Sequence, residues 1–197
     1  MTSERIVLVD VDGVLLNWIV SFERWMRSQN YKKKNHSMYR IEDVYGITSS
    51  NAHKEIVSFN NSKYIGLLPA FRDARKYVRK LHTEHGYVFH CVTAIPDSNH
   101  IKKMRRQNIE GIFGSSAIKK IDCVTKSANK EAILAQYAGS GAPWVEDLYS
   151  NVLMGRKVGL TPYIMDHWYN RQSEEEKDIV RVKNWANMYE RIVSTHK

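Results

Sequence analysis

Arg5 to Asp10 (RIVLVD) is an unbroken apolar run rich in β-branched residues, and it leads into Asp10-Val-Asp12-Gly13-Val14. A run without polar alternation belongs to a strand buried on both faces, as in a parallel sheet covered by helices. Ligands of such sheets bind beyond the carboxyl ends of the strands. Residues two apart on a strand point to the same side, so Asp10 and Asp12 are expected to emerge together at that edge. Gly13 lets the chain turn sharply and its backbone approach a ligand closely. Two neighbouring carboxylates repel unless a proton or a cation relieves them, and a hard, oxygen-ligated ion such as Mg2+ is the natural partner. The same letters also spell an ordinary Asp-Gly turn after a strand, so the rest of the chain has to decide.

Helical spacing of Trp18, Phe22, Trp25 and Met26 predicts a helix over 17–29, and a second is expected from Thr48 to Phe59. Pro69 is read as opening the next helix, with an apolar stripe of Phe71, Ala74, Tyr77, Val78 and Leu81 that ends at Gly86. From there strands and helices alternate. Strands are expected at 87–93, 118–124, 144–147 and 157–160, and helices at 98–108, 127–137 and about 183–193, with one helical turn at 151–154. This is the pattern of an α/β fold: a doubly wound, Rossmann-like, mainly parallel sheet with a small helical cap inserted after the first strand. The expected division is 1–16 and 69–197 for the sheet domain and 17–68 for the cap, which suits a chain of 197 residues.

Composition removes other classes. Hydrophobic residues make up 43% and charged residues 26%, which is ordinary for a globular domain. Cys91 and Cys123 are far apart and lack metal-site spacing, so a cytoplasmic protein without a disulfide scaffold is expected. The longest apolar stretch, 6–20, contains Asp10, Asp12 and Asn17, which argues against a membrane span. The net charge of +9 points to a phosphate-bearing or otherwise anionic partner, or to a lysine-rich surface. The runs Lys32-Lys33-Lys34 and Lys102-Lys103…Arg105-Arg106 concentrate that charge. The eight histidines show no metal-ligand spacing.

The other strand ends carry suitable groups. Thr93 closes its strand beside Ala94, where a hydroxyl and free N–H groups suit phosphate oxygens. Lys130 falls in the first turn of a helix, a poor place for a cation unless it neutralises something bound there, and Lys126 competes for that task. Glu146 and Asp147 end another strand. Trp168 and Tyr169 are read as packing residues.

With these residues assembled, the sequence resembles the haloacid dehalogenase superfamily. DVDGV (Asp10 to Val14) matches its first motif, the run into Thr93 its second, a single lysine its third and VED (Val145 to Asp147) its fourth. LLPAFRDARKYVRKL and the ending DHWYNR, followed by Trp185, are similar to the 5'-deoxyribonucleotidase-like branch. The resemblance implies a Mg2+-dependent phosphatase. Asp10 would be the nucleophile and Asp12 the acid and base. Asp10, the Asp12 backbone carbonyl and Asp147 would hold the metal. Gly13, Thr93, Ala94 and Lys130 would bind phosphate. Glu146 stands where the family has Asp or Gly, which leaves open whether it touches the metal. The expected partner is a small phosphorylated substrate, foremost a nucleoside 5'-monophosphate, with Trp18, Phe22, Trp25, Tyr39 and Tyr45 as selectivity residues or, for the first aromatics, a packing stripe. Competing expectations are a nucleic-acid end-processing phosphatase, another phosphotransferase, or a silent phosphate-binding module.

Overall fold

The computed structural model describes residues 4–36, 38–171 and 177–194. Its centre is a parallel sheet of six strands: β1 (Arg5–Val9), β2 (Tyr87–Ala94), β3 (Ile118–Val124), β4 (Pro143–Glu146), β5 (Thr161–Met165) and β6 (Val180–Val182). Their order is β3-β2-β1-β4-β5-β6, with every neighbouring pair parallel. The apolar run of β1 occupies the middle, with Val7, Leu8 and Val9 inaccessible to solvent. The succession of strands reverses at β1, so its carboxyl end lies at the switch point where doubly wound sheets form their crevice. The expected fold class is the one observed.

Eight helices accompany the sheet among the described residues: α1 (Trp18–Ser28), α2 (Ile41–Tyr45), α3 (Ser49–Asn60), α4 (Ala74–His85), α5 (Asn99–Phe113), α6 (Lys130–Leu134), α7 (Tyr149–Lys157) and α8 (Trp185–Ser194). The first three, with a 3-10 turn at Lys63–Gly66, lie between β1 and α4. Phe22 and Met26 of α1 and Phe59 of α3 are fully buried, and Trp18 stacks on Phe22 at 4.6 Å. These residues belong to the same apolar cluster as the inner face of the sheet.

Pro69 does not open a helix. Asn17 N–H donates to the Pro69 carbonyl (2.9 Å) and Phe71 N–H to the Leu15 carbonyl (2.7 Å), so 69–71 runs beside 15–17 and brings the two ends of the stretch between them together. A proline can serve there because only its carbonyl is asked to bond. Helix α4 begins at Ala74, and the preceding Asp73 carboxylate accepts the N–H groups of Trp185 and Ala186, capping α8.

Two strand expectations also change. Residues 157–160 are not a strand: α7 extends to Lys157, and Gly159, with φ of 81°, turns the chain into β5 at Thr161. Pro162 disguises β5, because a proline removes a ladder donor. The strand tolerates it because pairing with β6 begins only at Tyr163. β6 has three residues, too few for a periodic signal.

Gly155 of α7 packs on the buried Trp144 ring, and a β-carbon there would lie 2.8 Å from Trp144 Cγ. Gly155→Ala is expected to destabilise the protein by about 1–3 kcal/mol through overpacking. Urea denaturation followed by tryptophan fluorescence measures it, and an unchanged midpoint would contradict this packing.

Candidate active site

The carboxyl ends of β1, β2 and β4 and the start of α6 converge on one pocket of about 420 Å3. The order of assembly follows the sheet. Asp10 N–H still donates to the Val145 carbonyl (2.9 Å), so β1 delivers Asp10 beside Glu146 and Asp147 at the end of β4. Oxygens of Asp10, Glu146 and Asp147 lie within 4.8 Å of one another, and all three residues are buried. Lys130, the first residue of α6, reaches in with its Nζ 2.8 Å from Asp10 Oδ1 and 2.7 Å from Glu146 Oε1. Lys126 is exposed, away from this contact.

The electrostatics follow from crowding. Burial drives the Asp10 carboxyl up to about 7, against the pull of Lys130, with Glu146 and Asp12 adding to the rise. Burial, then Glu146 and Asp10, push Asp147 well above the usual carboxylate range. Burial opposes the Lys130 ammonium, but Asp10 and Glu146 outweigh it and hold Lys130 above its ordinary value. Burial also works against the Glu146 carboxylate, yet Lys130 and a full set of hydrogen bonds keep it below its ordinary value.

Glu146 is the most fully bonded of the three acids. Its Oε1 accepts from Lys130 Nζ (2.7 Å) and Asn151 Nδ2 (2.7 Å), and its Oε2 from the N–H groups of Asp147 (2.7 Å) and Leu148 (2.8 Å). A carboxylate has about four acceptor positions, and all are filled. Asp10 and Asp147 are the two acids with oxygens to spare for a cation, and hard oxygen donors in a buried acidic cluster fit Mg2+.

Thr93 and Ala94 line the same pocket. Thr93 is buried and its hydroxyl has no hydrogen-bond partner among the described residues. Gly13 contributes otherwise than expected. Its N–H donates to the Leu16 carbonyl at 2.8 Å and is taken. The missing side chain is what matters: φ is 84°, and a β-carbon would fall 2.8 Å from Asp147 Cγ and closer still to Oδ2. The Asp12 carboxylate stands apart from the acidic cluster and is forked by Arg105, Nη1 to Oδ1 at 2.7 Å and Nη2 to Oδ2 at 2.9 Å. For metal binding this leaves Asp12 its backbone carbonyl.

Several participants escaped the sequence reading. Tyr169 is not merely packing: its hydroxyl donates to Asp147 Oδ2. Its ring stacks between His167 (4.6 Å) and Tyr39 (4.3 Å). His167 Nε2 donates to the Gly13 carbonyl at 2.8 Å, and burial pushes its pKa down to about 4, so the ring is neutral at pH 7. The signal was present but displaced. With β5 correctly at 161–165, Asp166 and His167 become one more strand end beside the pocket. Asn151 and Arg105 left no signal beyond residue type. Of the proposed selectivity residues, Trp18, Phe22, Tyr39 and Tyr45 line the pocket, together with Trp168. Trp25 instead donates to Glu55 and packs on Phe59.

Comparison with known proteins now has a geometry to meet. A haloacid dehalogenase-like hydrolase from Streptococcus pneumoniae matches over all of both chains with a TM-score of 0.63 and 15% identity. A predicted phosphatase from Clostridium acetobutylicum covers 97% of this chain and 99% of its own, with a TM-score of 0.62 and 14% identity. The D,D-heptose 1,7-bisphosphate phosphatase from Burkholderia thailandensis covers 96% and 99%, with a TM-score of 0.59 and 11% identity. The chain has the haloacid dehalogenase-like fold. No protein-family profile matches it. In sequence it is 22% identical over 199 residues to an uncharacterized 32.4 kDa protein of the Gp30-rIII intergenic region of Enterobacteria phage T4, spanning 95% of this chain and 69% of that protein. Among the described residues no helix is long and apolar enough to cross a membrane.

The raised Asp10 carboxyl sets a sign. Between its ordinary value of 3.8 and about 7 the folded chain binds more protons than the unfolded one, so stability from this group falls as pH rises across that window. A cation that replaces the protons is therefore most stabilising above it. Saturating MgCl2 is expected to raise the thermal midpoint by several degrees near about pH 8 and much less near about pH 5, with the increment lost in Asp147→Asn. Equal increments at both pH values would contradict the site.

Proposed function

We propose that this protein is a Mg2+-dependent phosphomonoester hydrolase that works through an aspartyl-phosphate, with a nucleoside 5'-monophosphate as substrate. The observation that carries it is the convergence of Asp10, paired to Lys130, with Asp147 and the unpartnered Thr93 hydroxyl in one pocket at the switch point.

Asp10, Asp147 and the Asp12 backbone carbonyl would hold the metal. When bound, Mg2+ offsets the repulsion between an anionic nucleophile and an anionic phosphate. The Thr93 hydroxyl, Lys130 Nζ and the backbone at Ala94 receive the phosphoryl oxygens, where charge grows in the transition state. The free Asp10 oxygen attacks phosphorus as the ester P–O bond breaks, and Asp12 gives its proton to the leaving oxygen. Asp12, now ionised, takes a proton from water, which attacks the aspartyl-phosphate and releases inorganic phosphate and free Asp10. Gly13 keeps the approach to Asp147 open.

Residues 17–68 then act as the cap that excludes water and holds the leaving group, with residues 1–16 and 69–197 as the catalytic unit. Support for a nucleoside comes from the aromatic wall of Trp18, Tyr39, Tyr45, Trp168 and Tyr169, and from the buried Tyr45 hydroxyl, which has no partner among the described residues. Flat rings and an idle donor suit a base. The unpaired Cys91 and Cys123 accord with a reducing cytoplasm.

The nucleic-acid alternative loses much of its motive. Lys102 pairs with Asp97, Arg106 with Glu110 and Lys33 with Glu23, while Arg105 is buried. Lys32, Lys34 and Lys103 remain as the exposed cations of the two runs outside these pairs.

The test is phosphate release with Mg2+ from nucleoside monophosphates, sugar phosphates and end-phosphorylated oligonucleotides. The expected result is highest turnover on nucleoside 5'-monophosphates, loss to background in Asp10→Asn, and only weak dependence on salt. No release from any ester, or activity that survives Asp10→Asn, would refute the reading. A steep loss with salt on oligonucleotides alone would favour end processing.

A further inference from the structure

Arg105 occupies a position that helix geometry reserves for apolar residues. The buried residues of α5 are Ile101, Arg105, Ile109 and Phe113, one every four positions, so the arginine is a rung in a core stripe. Its side chain is 0% exposed. A guanidinium taken out of water is costly unless paired and hydrogen-bonded, and this one is incompletely satisfied, because Nε has no partner among the described residues. What it does have is Asp12: one Nη on each carboxylate oxygen, at 2.7 and 2.9 Å. The pair spans 93 residues of sequence and joins α5 to the turn after β1.

Stability alone is a poor reason for such an arrangement, since an apolar side chain would complete the stripe at lower cost. The fork has a particular geometric effect. A bidentate pair fixes the plane of a carboxylate, not only its position. Each Asp12 oxygen accepts one bond from Arg105 and keeps further acceptor capacity. With 26% of its side chain exposed, Asp12 still opens on the pocket it lines. Asp12 otherwise has two competing attractions close by, the Lys130 ammonium and any cation at Asp10 and Asp147. Either would draw a free carboxylate away from a leaving group.

We propose that Arg105 is a positioning residue that fixes the plane of the Asp12 carboxyl group, so that Asp12, once it has taken a proton from water, passes it to the leaving oxygen, and that keeps the group out of the Asp10–Lys130–Asp147 cluster. The assignment rests on the hydrolase reading above. Arg105 need not touch substrate; it acts through Asp12.

The consequence depends on the leaving group. An alkyl ester needs a proton as its bond breaks, whereas p-nitrophenolate leaves without one. A merely structural arginine would affect both alike.

The experiment compares wild type, Arg105→Met, Arg105→Lys and Asp12→Asn on p-nitrophenyl phosphate and on the best alkyl ester of the substrate panel. Thermal midpoints identify which variants are folded. Methionine completes the apolar stripe, and lysine keeps the charge but cannot fork. The readout is the first step, leaving-group release in a single turnover, because hydrolysis of the aspartyl-phosphate, which Asp12 also serves, is common to both esters. For both Arg105 variants, release from the alkyl ester is expected to slow about 100-fold, the lower range of a general acid's contribution, while release of p-nitrophenolate stays within several-fold. Asp12→Asn should show the same split in release and lose steady-state turnover on both esters, and adding Arg105→Met to it should slow alkyl release little more. Equal slowing of leaving-group release on the two esters in a folded variant, undiminished release by Arg105→Met, or additive slowing in the double variant would overturn the assignment alone. A wild type that cleaves neither ester would remove the hydrolase reading and the assignment with it.

Discussion

Lys130 is the contact on which the site depends. Three carboxylates delivered by two neighbouring strands would force one another to protonate, and a single ammonium between Asp10 and Glu146 prevents complete collapse to neutral acids. The parallel sheet makes this arrangement cheap to encode. β1 and β4 are adjacent and end level, so Asp10 and the Glu146-Asp147 pair meet without any loop having to carry them. Helix α6 follows β3 and presents Lys130 as its first residue. One ammonium against three carboxylates still leaves the cluster acidic, and that residual charge is the physical reason to expect a cation.

The three acids divide their labour by how many lone pairs the protein has already claimed. Glu146 has none left, so it acts as scaffold: it fixes Lys130, orients Asn151 and ties down the backbone on which Asp147 sits. The Asp147 carboxylate accepts from the Tyr169 hydroxyl, and its backbone carbonyl from Asn170. That phenol belongs to a row of rings, Phe71–His167–Tyr169–Tyr39, which starts where 69–71 runs beside 15–17 and ends inside the stretch between them. The position of Asp147 and that of the loop carrying Tyr39 are thus set by the same stack. A side chain at Gly13 would collide with this row at its most crowded point.

How much of this was legible depended on whether a feature was local in sequence. β1 and its carboxylates could be read because continuous burial writes itself as a continuous apolar run. The strand-end residues Asp10, Thr93 and Asp147 and the helix-start Lys130 were recoverable because topology alone places strand ends together. The failures share a cause. β5 contains a proline and follows a glycine turn, so it was placed four residues early, and the ring pair Trp168-Tyr169 fell outside the set of strand ends. Arg105 was read with its basic neighbours because composition cannot show which way a side chain faces. The α5 stripe shows it only once Ile101, Ile109 and Phe113 are known to be buried together. Partners such as Asp12 and Arg105, far apart in the chain, leave no local trace.

The basic excess looks different once the ions are in place. A net charge of +9 acts at long range, but within a Debye length of about 8 Å the local distribution decides. Four of the seven cations in the two basic runs are paired, with Asp97, Glu110, Glu23 and Asp12. The pocket itself is lined by Asp10, Asp12, Glu23, Glu42 and Asp147 as well as by Lys33, Arg40 and Lys130. A phosphate attracted from a distance by the whole protein would meet an acidic floor on arrival. Protons or a cation at Asp10 and Asp147 would reconcile these two fields, so the charge that draws an anion in and the charge that admits it come from different places. Composition reports the first and is blind to the second, which exists only because the sheet brings Asp10 and Asp147 to one edge.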